Sequence, residues 1–337
     1  MSLSVRALLQ ILVGFFVLAL VCLGVWGWSS GPDLPRWHEV WLLLSGSPAL
    51  AETDQLILMQ LRLPRMVLAT LAGAGLATAG LALQGLFRNP LVDPFVIGVS
   101  GGAALGAGLA LVLNWQFQFW GISTVPLAAF LGALGMMALV YHLGQVQGRM
   151  VIERLLLAGV ALSALSSSLL SLVLVLRGEG MEAVVYWIMG SFAGRSWEDA
   201  WVLLPFWGVG TLLLLRHLKA LNALQVGEES ATYLGVEVDR LKNQVIFSAT
   251  LLAAAVVSVS GVIGFVGLIV PHMARFFCRS ADFRRLFLPS LFAGAALLVL
   301  ADGLSRNLLP AQEIPVGIFT ALLGVPFFLG LLLRQQR

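Results

Sequence analysis

The sequence predicts an all-α integral membrane protein with about ten transmembrane helices, folded as a single transmembrane domain over residues 1–337. Hydrophobic residues make up 59% of the 337 positions and charged residues only 11%, whereas about a quarter of the residues in a soluble domain are charged. The mean hydropathy is +0.94. Apolar stretches long enough to cross a hydrocarbon core of roughly 30 Å recur from end to end, and no soluble domain fits between them.

The predicted spans are the apolar runs that lie between charged residues or Pro and Gly breaks. They cover residues 7–28, 62–84, 93–113, 123–142, 154–176, 199–216, 242–262, 265–277, 287–306 and 314–333. The first run is too long for a signal peptide and lacks a small-residue cleavage motif, which indicates a retained helix. The run at 265–277 is too short for a full crossing and follows Gly261 and Gly264, so it is either a short span or a broken helix buried by its neighbours.

The distribution of basic residues predicts the orientation in the membrane. With a cytoplasmic N-terminus, fourteen Lys and Arg residues lie inside and six lie outside, namely Arg36, Arg62, Arg65, Arg177, Arg195 and Arg306. This asymmetry follows the positive-inside rule and predicts that both termini are cytoplasmic. The net charge of +3 therefore reflects topology, and we expect no nucleic-acid partner.

Small residues are concentrated in the second and third predicted spans, where Gly98, Gly102 and Gly106 recur at four-residue intervals. This pattern is typical of helices whose backbones approach each other closely. Packing within one subunit explains it best, and the alternative is a seam between two copies of the chain.

The fifth predicted span is rich in serine, and Ser163 and Ser167 are its candidate pathway residues. Their hydroxyl groups either line a wet pathway or bond to carbonyl groups one helical turn back. Arg177 lies at the predicted outer end of the same span. Its guanidinium either attracts carboxylates of a transported molecule or only marks the membrane boundary.

The sequence offers no catalytic residues and no metal site. The only lysines are Lys219 and Lys242, and neither follows a glycine, so the chain has no phosphate-binding loop for ATP. The four histidines are scattered without metal-ligand spacing. We predict a conduit that is not an enzyme, binds no cofactor, and takes its energy from another chain. The alternative is a stand-alone secondary transporter of a small organic solute, which buried coupling residues would favour.

The longest polar stretch on the predicted cytoplasmic side is residues 217–242. We interpret it as two short helices with Gly227 and Gly235 as hinges. Glu228 and Glu229 suit a helix start because carboxylates favour the positive end of the helix dipole, and glycine suits a helix stop. On these grounds alone a solvated loop between two spans is the better interpretation of the stretch.

Eight segments distributed along nearly the whole chain resemble signature segments of the FecCD permease family. They are LRLPR at 61–65, QGLFRNPLVDP at 84–94, GVSGG at 98–102, LLLAGV at 155–160, YWIMGS at 186–191, GFVGLIVPH at 264–272, ADG at 301–303 and EIPVG at 313–317. One such segment is a weak signal, whereas eight in order with fitting spacing are specific.

The resemblance implies the permease subunit of a type II bacterial ABC importer, the kind that takes up vitamin B12, ferric siderophores or haem. In such importers the permease is a homodimer in the lipid of the inner membrane. Two ATPase subunits, which bind ATP and Mg²⁺, lie beneath it, and a periplasmic binding protein delivers the cargo from above. We expect a ferric siderophore as the leading cargo, with haem or vitamin B12 close behind and molybdate more distant.

The resemblance also implies three groups of site residues. Outward arginines of the family meet glutamates on the binding protein, and the matching positions are Arg62, Arg65 and Arg306, which could instead be interfacial anchors. The segment that couples to the ATPase matches Gly227, Glu228, Glu229, Ser230, Ala231, Leu234 and Gly235. The cytoplasmic gate matches Asn89, Pro90, Leu91, Val151, Ile152 and Glu153. The last three depart from the small hydroxyl residues of the vitamin B12 permeases.

Overall fold

The computed structural model describes residues 3–27, 45, 52–115, 117–119, 122–177, 180–309 and 312–335. Within these residues the helices are α1 (Leu3–Gly27), α2 (Glu52–Leu86), α3 (Val99–Val112), α4 (Thr124–Gly144), α5 (Ile152–Arg177), α6 (Met181–Ile188), α7 (Trp197–Leu224), α8 (Glu228–Tyr233), α9 (Val238–Ser260), α10 (Val266–Cys278), α11 (Phe283–Asn307) and α12 (Val316–Gln335). Arg36, one of the predicted outer arginines, lies outside the described residues.

Every predicted span coincides with a helix. Six helices, α2, α4, α5, α7, α9 and α11, are long and apolar enough to cross a membrane. Four shorter apolar helical stretches occupy the remaining predicted spans, at Leu12–Leu23, Val99–Val112, Val266–Cys278 and Val316–Gly330. The all-α membrane architecture that the composition predicts is therefore confirmed.

Helices α2 and α9 form the centre of the bundle. In the most apolar window of each, 83% of the residues are buried inside the chain, against 17% for α5. The central place of α2 follows from its small side chains, because Gly73 touches the backbone of Gly294 in α11 and Gly80 touches the backbone of Gly267 in α10. A Cβ at either glycine would overlap a carbonyl group of the neighbouring helix.

The glycines of α3 serve the same purpose against α4. Gly102 packs on the carbonyl of Gly132, and Gly106 packs on the carbonyl of Ala128. Both partners lie in the same chain. The interpretation of this glycine pattern as packing within one subunit is therefore confirmed.

Two predicted helix starts are wrong. The third span was expected from Asp93, but α3 begins at Val99, because the Asp93 carboxylate accepts a hydrogen bond from the Phe95 amide at 3.0 Å and stabilises a 3₁₀ turn at Pro94–Ile97. The second span was expected from Arg62, but α2 begins ten residues earlier and includes a π-helical turn at Ile57–Arg62.

The segment predicted to be short or broken is α10. It has 13 residues, which at 1.5 Å per residue gives about 20 Å. Residues 261–265 before it are not helical, and Phe265 takes a φ of +69°. Helices α2, α11 and α12 pack around α10, so neighbouring helices cover this short element.

Two short hairpins complete the described secondary structure. Strands β1 (Gln118–Phe119) and β2 (Ile122–Ser123) join α3 to α4, and strands β3 (Gln145–Val146) and β4 (Arg149–Met150) join α4 to α5. We call the end of the bundle that carries β3, β4 and α8 the hairpin end. The opposite end, which carries Arg65 and Arg306, is the arginine end.

Candidate functional site

The arginine end contains an ion-pair network centred on Arg65. Its Nε donates to both carboxylate oxygens of Asp302 at 2.9 and 3.1 Å, and its Nη1 donates to both oxygens of Glu313 at 3.1 and 2.9 Å. Its Nη2 lies 3.5 Å from the hydroxyl of Ser305. Each guanidinium nitrogen of this predicted docking residue therefore faces an acceptor within the chain.

The other two predicted docking arginines lie at the same end. The Nε of Arg306 is 3.4 Å from a carboxylate oxygen of Asp302, one turn before it in α11. Arg62 lies one turn before Arg65 in α2, and both side chains are buried. Docking through these arginines stays a prediction, and it requires an incoming acid to reach guanidinium groups in a place where internal acids already hold Arg65.

Asp302 is the network residue whose partners the sequence did not predict. It is 1% exposed within the apolar helix α11. An acid inside an apolar run needs a cation beside it, and Arg306 at the i+4 position was a usable signal. The second cation, Arg65, is 237 residues away in sequence, so only the packing of α2 against α11 reveals it.

The predicted coupling segment forms one short helix at the hairpin end. Helix α8 begins after Gly227, with a φ of +133°, and ends before Gly235, with a φ of +82°. Side chains with a Cβ rarely adopt these conformations, so glycine bounds the helix at both ends as predicted, and the hinge role of the two glycines stays a prediction. The prediction of two short helices over 217–242 is wrong, because α7 continues to Leu224 and leaves room for α8 alone.

Helix α8 is anchored on one side and exposed on the other. Ala231 is fully buried, whereas Tyr233 is 92% exposed and Leu234 is 70% exposed. Val226, just before the helix, is 73% exposed. Contiguous exposed apolar side chains mark interaction surfaces, so this face of the segment is suited to a protein partner.

A salt bridge connects α8 to the central helix α9. The ammonium group of Lys242 lies 2.8 Å from the carboxylate of Glu228, and the Lys242 side chain is 7% exposed, against 46% for Glu228. The sequence drew attention to Lys242 as one of two lysines that do not form a phosphate-binding loop, since neither follows a glycine. Its burial beside an acid of the coupling segment is a feature that sequence reasoning missed.

A cleft of about 830 Å³ joins the coupling segment to one of the two predicted gate segments. Its lining includes the gate residues Val151, Ile152 and Glu153 and the coupling residues Glu228, Glu229 and Gly235. Arg88 and Arg149 also line it. A movement of α8 would therefore change the shape of a cleft that the gate segment borders.

The other predicted gate segment, Asn89 to Leu91, forms a tight turn after α2, in which the Asn89 side chain accepts a hydrogen bond from the Leu91 amide at 2.9 Å. Pro90 lies between them. The buried Gln84 connects this region to α10, since its amide nitrogen donates to the Gly267 carbonyl at 3.1 Å. Its amide oxygen accepts from Arg275 at 2.6 Å.

The candidate pathway serines line a cavity of about 320 Å³ between α3, α5 and α6. Its hydroxyl-bearing lining residues are Ser100, Ser163, Ser166, Ser167 and Ser171. The rest of the lining consists of Gly, Ala, Val, Leu and Ile residues. The cavity thus presents hydroxyl groups and apolar surface, and no charged side chain among the described residues is part of its lining.

The serines of α5 differ in their surroundings, and a wet pathway along them stays a prediction. Ser168 and Ser171 donate to the carbonyl groups of Ala164 and Ser167, one turn back, at 3.0 and 2.8 Å. Ser171 also faces the cavity. Arg177 is the exposed last residue of α5, and its attraction of cargo stays a prediction.

Comparisons with known proteins all indicate the same class of protein. The model of the FecCD transport family matches residues 15–334. The cobalamin import system permease protein BtuC of Halobacterium salinarum is 44% identical over 285 residues, which cover 85% of this chain and 75% of that protein. The hemin transport system permease protein HmuU of Yersinia pestis is 36% identical over 329 residues, covering 97% and 96%.

A solved structure has the same fold. It is described as an inward-facing conformation of a metal-chelate type ABC transporter, and it is 33% identical to this chain. The TM-score is 0.82, and the match covers 96% of this chain and 98% of that one. The eight signature segments, the matching helices and these relatives agree, and the chain belongs to the FecCD transport family of ABC transporter permeases.

Proposed function

We propose that this permease conducts a metal chelate from a periplasmic binding protein into the cytoplasm, as a homodimer on two ATPase subunits. A permease of this class is a transport subunit and not itself an enzyme, so the ATP and Mg²⁺ would be bound by the ATPase chains. In this proposal the hairpin end and both termini are cytoplasmic, and the arginine end faces the binding protein.

The observation that carries the proposal is that the two ends of one apolar bundle carry different candidate interaction surfaces. At the hairpin end, α8 exposes Tyr233 and Leu234 and borders the cleft that Val151 to Glu153 line. At the arginine end, Arg65 and Arg306 form ion pairs with Asp302 and Glu313. An energy-supplying partner on one face and a cargo donor on the other fit this arrangement.

The proposed cargo is a ferric siderophore first, with haem or a cobalamin next. The serine cavity supports a cargo of mixed surface, because its lining offers hydroxyl and apolar contacts without charge selection. Such a lining leaves selection to the binding protein. The relatives named for cobalamin and for hemin have comparable similarity to this chain, which is consistent with a shared pathway for bulky chelates.

The test is transport by the purified complex in liposomes. The tagged chain is purified with its ATPase subunits, reconstituted, and supplied with its binding protein loaded in turn with a ferric siderophore, haem, cobalamin or molybdate. We expect uptake of one of the first three, dependent on both ATP and the binding protein. Isolation of the chain without an ATPase, together with uptake driven by a proton gradient alone, would contradict the proposal and favour a secondary transporter.

A further inference from the structure

Glu313 holds Arg65 in the way that an incoming carboxylate from a docking protein would. Both of its oxygens lie within 3.1 Å of Arg65 Nη1. Contacts between an arginine and a carboxylate are strong and directional because the hydrogen bonds are charge-assisted. The site that the binding protein is proposed to use is therefore occupied at Arg65 by an acid of the permease itself.

The two acids of the network differ in how easily they can be displaced. Asp302 is 1% exposed and belongs to the rigid helix α11. The Glu313 side chain is 44% exposed and belongs to residues 312–315, which have no regular secondary structure. Glu313 can leave Arg65 and be hydrated by solvent, so its charge would not be buried without a partner. Asp302 has no access to solvent, so its charge would be left buried and unpaired if it left Arg65.

The charges of the cluster balance only while Glu313 is in place. Arg65 and Arg306 contribute two positive charges, and Asp302 and Glu313 contribute two negative charges. Within the described residues, Arg306 Nη2 is buried without a hydrogen-bond partner. If Glu313 moves into solvent, a carboxylate of the docking protein can take its place and restore the local balance.

Displacement of Glu313 would reach the serine cavity through α6. The backbone carbonyl of Glu313 accepts a hydrogen bond from the hydroxyl of Tyr186 at 2.9 Å, and Tyr186 belongs to α6. Two further α6 residues, Val184 and Val185, line the cavity next to Ser163. A single residue thus contacts a docking arginine with its side chain and the cavity-lining helix with its backbone.

From these contacts we infer that Glu313 is an internal stand-in for the binding protein's carboxylate, and that docking displaces it and releases α6 at the mouth of the serine cavity. This inference rests on the proposed function, since it assumes a binding protein at the arginine end. It assigns to Glu313 a role in positioning α6 and to Tyr186 the link between the docking face and the cavity.

The first experiment measures docking on the whole transporter in lipid nanodiscs. Glu313→Gln should bind the binding protein about tenfold more tightly than the wild type, because the internal competitor loses its charge. Glu198→Gln is the matched control, since it removes an exposed acid of α7 near the same end, and it should bind as the wild type does. Weaker or unchanged binding by Glu313→Gln would overturn the inference and make Glu313 a residue that only orients Arg65.

The second experiment needs no binding protein. A spin label on Met181→Cys, an exposed position of α6, is read in a background without the two native cysteines. Glu313→Ala and Tyr186→Phe should each increase the mobility of the label, and Tyr186→Phe should tighten docking less than Glu313→Ala because it leaves the Arg65–Glu313 contact in place. Equal mobility in all variants would refute the release of α6. Failure of the wild type to bind any binding protein would instead refute the proposed function, and the label would still test the link between Glu313 and α6.

Discussion

Asp302 shows what a single charged residue requires inside an apolar helix. It is 1% exposed, and it is stabilised by Arg65 at 2.9 Å and by Arg306 at 3.4 Å. An isolated carboxylate in such a place would cost several kcal/mol. The network therefore fixes the packing of α2 against α11 at the arginine end.

Replacement of Asp302 by Asn should destabilise the permease by about 3 kcal/mol, because it leaves Arg65 buried with only the partly exposed Glu313 as an acidic partner. Thermal or denaturant unfolding in detergent measures the change. The control is Glu237→Gln, since Glu237 pairs with Arg240 at 3.5 Å on the exposed surface, where both side chains are at least 68% exposed. Equal stability of Asp302→Asn and the control would contradict a structural role for the buried pair.

The network also changes how docking should be tested. Reversing the charge of Arg65 would place a third acid beside Asp302 and Glu313, so loss of docking could follow from misfolding. The informative variants at this site alter the exposed Glu313 or the acids of the binding protein. The sequence could not indicate this, because it identified the arginines by family resemblance and contained no sign that Arg65 of α2 pairs with Asp302 and Glu313, which are 237 and 248 residues away.

At the scale of elements, α8 is connected to α9 by a buried cation and an exposed acid. Helix α9 is central to the bundle, so the Lys242–Glu228 pair provides a direct route by which a push on α8 can move the core. The sequence predicted the helix boundaries at Gly227 and Gly235 correctly, because glycine has a strong local signature. The salt bridge depends on how α8 folds back onto α9, and no local pattern reports that.

Lys242→Met should uncouple transport from ATP hydrolysis. The substitution leaves Glu228 in solvent and fills the buried position with an apolar chain of similar length, so we expect the complex to assemble with its basal ATPase activity intact. Uptake per ATP hydrolysed should fall by about tenfold, and the exchange Lys242→Glu with Glu228→Lys should restore part of it. Normal coupling in Lys242→Met would show that the salt bridge does not transmit movement.

The glycines of α3 and α4 give a second prediction at this scale. Gly106→Ala should lower the unfolding temperature, because the new Cβ would overlap the carbonyl of Ala128 in α4. Gly135→Ala, in α4, has no heavy atom within 4 Å of the new Cβ and should be neutral or stabilising by up to about 1 kcal/mol. If both variants unfold alike, the close approach of α3 and α4 is not a source of stability.

For the molecule as a whole, apolarity predicted the spans well and their burial poorly. Helices α2, α5 and α9 are all apolar, yet α2 and α9 are central and α5 is largely exposed. The exposed side chains of α5 include Leu157 at 71% and Val175 at 80%. In a membrane, lipid or a second copy of the chain can cover such a face, and hydropathy alone does not distinguish a helix covered by lipid from one covered by protein.

Orientation is the property of the whole molecule that charge alone predicts. Basic residues at the hairpin end include Arg88, Arg149, Lys219, Arg240 and Arg284, and the positive-inside rule places such an end in the cytoplasm. Single cysteines at Leu234, 70% exposed at the hairpin end, and at Met181, 64% exposed at the arginine end, test this in a background without the native cysteines. A maleimide that cannot cross membranes should label Met181→Cys in spheroplasts and Leu234→Cys only in inverted vesicles. The reverse labelling pattern would show that the arginine end faces the cytoplasm. The arginine end could then not receive cargo from a periplasmic donor.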